Sequence, residues 1–132
     1  MKNKILAVIG GTIALFGLGY LIYVVLEFHA MNGPGTEAIQ ADLNVPAIIT
    51  MEVLYAVLLV IIYDRWAQIK TFSTGAQAGF IIGAFLGGLP ALELFATTSD
   101  LTDIPGVLTG AATFAIRFAF AGGIVGWFLG RD

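Results

Sequence analysis

Apolar residues fall in four long runs, at about residues 5–28, 46–63, 74–97 and 106–128. Each is close to the roughly 20 residues that a helix needs to cross a bilayer. Between the runs lie residue types that break or cap helices. Asn32-Gly33-Pro34-Gly35 interrupts the chain after the first run, and Pro46 suits the first turn of the second helix. Residues 67–73 form a short polar link, in which Thr71 and Ser73 are N-cap candidates for the third helix. So brief a link predicts that helices two and three are antiparallel neighbours. Thr98-Ser99-Asp100 and Asp103-Ile104-Pro105 make the last turn, with Asp103 and Pro105 marking a helix start. The pattern predicts an all-α fold, a single integral membrane bundle of four transmembrane helices over residues 1–132.

Composition agrees with the pattern. Hydrophobic residues make up 58% of the chain and charged residues 11%, with a mean hydropathy of +0.93. A water-soluble domain carries about 25% charged residues, and a disordered chain is poor in apolar ones. The basic start Met1-Lys2-Asn3-Lys4 resembles that of a signal peptide. A signal peptide's apolar core is only about 7–15 residues long, and Glu27-Phe28-His29-Ala30 is a poor cleavage site. The first run therefore reads as an uncleaved spanning helix.

The chain has no cysteine and one histidine, His29, which argues against thiol chemistry, disulfides and zinc, di-iron or bis-histidine haem sites. No cofactor or metal is expected. The net charge of −3 offers no basic surface to nucleic acid. There is no phosphate-binding loop, His-Glu-x-x-His or Gly-x-Ser-x-Gly motif, and no polar stretch long enough for a soluble catalytic domain. Enzyme activity is not expected, and an intramembrane enzyme ranks last among the readings.

Lys2, Lys4, Arg65, Lys70 and Arg131 fall at helix ends that share one side of the membrane. The two loops on the other side hold no Lys or Arg, and carry Glu37, Asp42, Asp100 and Asp103. By the positive-inside rule both termini face the cytoplasm of a bacterial inner membrane. So one-sided a bias argues against dual insertion and antiparallel dimers. Trp66 and Trp127 read as cytoplasmic interface residues, and His29 as a solvated or headgroup-contacting side chain.

Three stretches carry a resemblance: NVPAIITMEVLYAVLLVIIYDRW in helix two, GAQAGFIIGAFLGG in helix three and the acidic turn TSDLTDIPG. In layout, the last two-thirds of the chain resembles small uncharacterised prokaryotic four-helix membrane proteins. The resemblance implies a four-helix fold and transfers no functional residues.

Gly75, Gly79, Gly83 and Gly87 recur every four residues and form one slowly drifting stripe on helix three. Such a stripe lets two helices approach closely where hydrophobic drive is weak. Helix four offers two matching rows, Ala111, Ala115, Ala119 and Gly123, or Gly122, Gly126 and Gly130. Packing within the chain and a homo-oligomer or partner interface are both open at this point.

Arg117 lies near the middle of helix four, where an arginine costs roughly 2.5–3.5 kcal/mol on insertion scales. It needs an acidic partner inside the bundle. At about 1.5 Å per residue, Glu52 of helix two lies about 3 Å from it in depth, with Glu93 of helix three about 10 Å further out. Glu52 is the first expected partner and Glu93 the second. On an ideal wheel Tyr20, Tyr23 and Glu27 share a face of helix one, as do Glu52, Tyr55 and Tyr63 on helix two. Thr113 sits one turn before Arg117. For Tyr20, Tyr23 and Tyr63, interfacial anchoring is an equal alternative.

Arg117, Glu52, Glu93, Glu27, Tyr55, Tyr23 and Thr113 together describe a polar vestibule open to the outside. A small transporter or channel for an ion or small solute is the expectation. The alternative is a non-catalytic subunit or scaffold that uses its glycine-rich helices to pack with itself or a larger membrane partner. In that reading the ion pair only sets helix registry.

Overall fold

The computed structural model describes residues 2–26, 33, 44–99 and 101–131. Four helices account for nearly all of them. α1 covers Lys2–Gly19 and continues through a π-helical turn over Tyr20–Val25; α2 covers Val45–Ile61 and continues in the same way over Ile62–Ala67. α3 covers Phe72–Thr97 and α4 covers Ile104–Leu129. All four are long and apolar enough to cross a membrane.

Helix starts follow local capping chemistry. The Asn44 Oδ1 accepts from the Ala47 amide (3.2 Å) ahead of Pro46, and the Thr71 hydroxyl accepts from Thr74 (3.2 Å). The Asp103 carboxylate accepts from Gly106 (2.8 Å), and Pro105 stands in the first turn of α4. Each cap satisfies an amide that the helix itself leaves without an acceptor. Thr71, not Ser73, is the cap of α3.

α4 is the central helix. Of its most apolar stretch 56% is buried, against 28% or less for the other three. α3 packs on α4 most extensively, α1 next, and α1 also packs on α2. α2 and α3 are not among the extensive pairs, so the short link does not make them packed neighbours along their length. Side-chain size accounts for this. The α3 stripe has no side chains, and α4 presents a row of backbone to it, so the closest approach available to α3 is on α4.

The register of that pair is read from the space at each glycine. A Cβ at Gly75, Gly79, Gly83 or Gly87 would meet the carbonyl oxygen of Gly122, Phe118, Phe114 or Gly110 respectively. The facing row on α4 is thus Gly110, Phe114, Phe118, Gly122 and Gly126, and not the Ala111–Ala115–Ala119 row. Carbonyls set this close to glycine Cα atoms permit weak Cα–H···O contacts along the seam. Gly123 instead faces the Phe72 ring, and Gly130 the Lys70 backbone.

Tyr63 is fully buried and donates to the Gly75 carbonyl (2.7 Å), tying the end of α2 to the α3–α4 seam. It is a core residue and not an interfacial anchor. Lys4 pairs with Asp64 at 3.0 Å at this end of the bundle, where Arg131 also stacks on Trp127. At the opposite end the Gly33 amide donates to the Leu101 carbonyl (3.0 Å), joining the two connections there.

Gly79→Ala should cost about 1–3 kcal/mol of stability, because its methyl would press on Phe118 backbone that cannot rotate aside. Gly17→Ala meets nothing within 4 Å and should be neutral or slightly stabilising. Unfolding of the two variants in detergent micelles measures the contrast.

Candidate functional site

Two helices bring polar groups to Arg117 of α4. Its Nη2 donates to Glu52 Oε2 at 2.5 Å and to the Leu15 carbonyl at 3.3 Å, while Nη1 reaches the Tyr23 hydroxyl at 3.5 Å. The guanidinium also lies 5.0 Å from the Phe114 ring centroid and 5.4 Å from that of Tyr23. Both side chains of the ion pair are 2% exposed. Buried charges of opposite sign cancel most of the field that either alone would impose on an apolar interior. Glu52 Oε1 and Arg117 Nε are buried without a hydrogen-bond partner.

The approach of α1 to this pair depends on Gly19. A Cβ there would stand 3.5 Å from Arg117 Nε, Arg117 Nη2 and Glu52 Oε2, ordinary contact distance, so a longer side chain would collide with the pair. Gly19 also precedes the π-helical turn that carries Tyr23. In a π turn each residue advances by a smaller angle than in an α-helix, so positions three apart are spread further around the axis. Tyr20 and Tyr23 therefore do not share a face. Tyr20 is 58% exposed, whereas Tyr23 is half-buried and donates to the Thr113 hydroxyl at 3.2 Å.

On α2, Glu52, Tyr55 and Tyr63 all turn inward. Tyr55 packs edge-on against Phe118 (5.1 Å, 75°) and Phe114 (6.1 Å, 87°), and those two rings stack on one another. Thr113 is buried and donates to the Thr109 carbonyl at 2.8 Å, leaving its oxygen to accept from Tyr23. Glu93 is exposed and is not among the groups that Arg117 meets; its carbonyl accepts from the Thr97 hydroxyl (2.8 Å). Glu27 and His29 lie outside the described residues.

Beside the ion pair is a cavity of about 310 Å³. Tyr23, Tyr55, Thr113 and Phe114 form one side, and Leu86, Pro90, Ala91 and Leu94 of α3 the other. It lies toward the end of the bundle that holds the α1–α2 and α3–α4 connections. Arg117 and Glu52 do not line it: Tyr23 and Phe114, which do, contact the guanidinium. Among the described residues no set of three or more His, Asp or Glu side chains could hold a metal ion.

Sequence reasoning missed Leu15, Gly19 and Phe114 at the ion pair, and Leu86, Pro90 and Ala91 at the cavity. Phe114 had a signal, since it precedes Arg117 by three residues on one helix. A backbone carbonyl such as that of Leu15 leaves none.

Replacing either partner alone, by Glu52→Ala or Arg117→Ala, should cost about 3–5 kcal/mol, because the other charge stays buried and unpaired. Replacing both with apolar side chains, Glu52→Leu with Arg117→Met, should recover most of that loss. A double-mutant cycle on unfolding in micelles measures the recovery. No family model, curated protein or solved structure matches this chain.

Proposed function

We propose that this chain is a small multi-pass membrane protein whose four helices all span the bilayer, and that its cavity receives a small solute on the way across. The single observation behind this reading is the cavity itself, a space of about 310 Å³ with hydroxyl-bearing walls at one end of an otherwise apolar bundle. A bundle that served only as a membrane anchor would have no use for such a space.

Charge supports an orientation. Lys2, Lys4, Arg65, Lys70 and Arg131 lie at one end of the bundle, and the residues that line the cavity lie toward the other. Under the positive-inside rule the basic end, with both termini, faces the cytoplasm of a bacterial inner membrane. The cavity is then a vestibule on the outer side. Below it the buried ion pair and the α3–α4 seam form a packed floor, so passage requires the helices to move rather than an open pore.

A non-transporting subunit is the second reading, and the packing of Arg117 against Glu52 favours it. A pair sealed on all sides fixes helix registry without touching any solute. The stripe Gly75–Gly79–Gly83–Gly87 is turned toward α4 within the chain. Such a subunit would therefore meet itself or a partner through other faces.

Ala91→Phe would fill the cavity from the α3 side. In osmotic-swelling assays on proteoliposomes with a panel of small neutral solutes and ions, the native chain is expected to admit at least one of them. Ala91→Phe is expected to reduce that rate by about tenfold or more, a barrier change of about 1.4 kcal/mol. Absence of any solute entry across the panel would favour the subunit.

A further inference from the structure

The cavity walls specify a ligand more narrowly than the reading above, on which this inference rests. Most of the lining is apolar. Leu86, Pro90, Ala91 and Leu94 face Tyr55 and Phe114, whose rings meet at 87°. No charged side chain takes part: Arg117 and Glu52 are 1% and 2% exposed and answer each other. An ion entering the cavity would shed water and find no opposite charge, which is costly. A neutral molecule meets no such barrier.

The wall offers two polar groups to a ligand. The Tyr55 hydroxyl makes no hydrogen bond among the described residues, unlike that of Tyr23, which is engaged with Thr113 and Arg117. Pro90 has no amide hydrogen, so the Leu86 carbonyl loses the donor that an unbroken helix would supply. Leu86 and Pro90 both line the cavity. A phenol with a donor to give and a carbonyl short of its usual donor are satisfied together by a group that both accepts and donates, and a hydroxyl is the smallest that does so.

We infer that the ligand is an uncharged molecule with a compact apolar body and one hydroxyl group, the hydroxyl accepting from Tyr55 and donating to the Leu86 carbonyl. The volume sets its size. About 310 Å³ equals on the order of ten waters at roughly 30 Å³ each, the low end for ligand pockets. One ring or a short chain fits; an entire phospholipid does not. A free aromatic alcohol and the hydroxyl end of a neutral membrane lipid share this chemistry.

The test uses the full chain in phosphatidylcholine vesicles, with a benzyl alcohol that carries a photoreactive diazirine. Its benzoic acid and toluene analogues are compared with it, and labelled residues are mapped by mass spectrometry. Saturable labelling by the alcohol is expected on Tyr23, Leu86 and Leu94, with at least about tenfold less from the acid. Tyr55→Phe keeps the ring packing and should lower labelling by about fivefold, the worth of one hydrogen bond. Competition by benzyl alcohol would identify a free alcohol as the preferred form, and competition by a short-chain diacylglycerol a lipid; either supports the assignment. Equal labelling by acid and alcohol, or no effect of Tyr55→Phe, would overturn the alcohol while leaving a ligand cavity. No saturable labelling of the cavity by any of the three probes would overturn both readings.

Discussion

A guanidinium at the middle of the most buried helix constrains everything placed around it. Arg117 cannot reach the ends of α4, and an apolar interior tolerates its charge only with an opposite charge at contact distance. Glu52 supplies that charge from α2, and α1 closes the arrangement with the Leu15 carbonyl and the Tyr23 hydroxyl. Three helices are therefore held in one mutual register by a single side chain. Gly19 leaves room for the arrangement: a methyl there would rest at contact distance, and a side chain longer than that would hold α1 away from the pair.

The fourth helix is held by a different force. α3 has no polar group in this cluster; it packs by shape, with its glycine stripe against the carbonyl row of α4. A stripe of this kind allows one close partner, and α4 takes it. α2 is held to α4 by the ion pair. The two requirements separate α2 from α3 where Pro90 interrupts the α3 backbone hydrogen bonds, and the cavity occupies the space between them. The pocket is thus a consequence of two packing rules that cannot both be met by a fully closed bundle.

This origin explains the division of labour between the polar residues. Those of full charge are sealed, while the polar side chains that line the cavity, Tyr23, Tyr55 and Thr113, carry hydroxyls. The aromatic cluster of Tyr55, Phe114 and Phe118 belongs to both, packing beneath the cavity and against the guanidinium. A change of register at the ion pair would therefore alter the cavity wall directly.

Much of this architecture was legible in the chain. The four apolar runs, the proline in the first turn of α2 and of α4, the caps at Thr71 and Asp103 and the depth match between Arg117 and Glu52 all follow from spacing. Depth along a helix axis is one-dimensional, and rise per residue sets it wherever the helix is packed. Rotation about that axis is another matter. The ideal wheel placed Tyr20 with Tyr23, and depth alone kept Glu93 as a second partner for Arg117, yet a π turn and an exposed face of α3 decided otherwise. The sequence by itself determined how many helices there are, where they start and which charges lie level with one another. Only the tertiary structure decided which faces meet and where a space is left, because azimuth depends on local helix winding and on the size of residues contributed by distant parts of the chain.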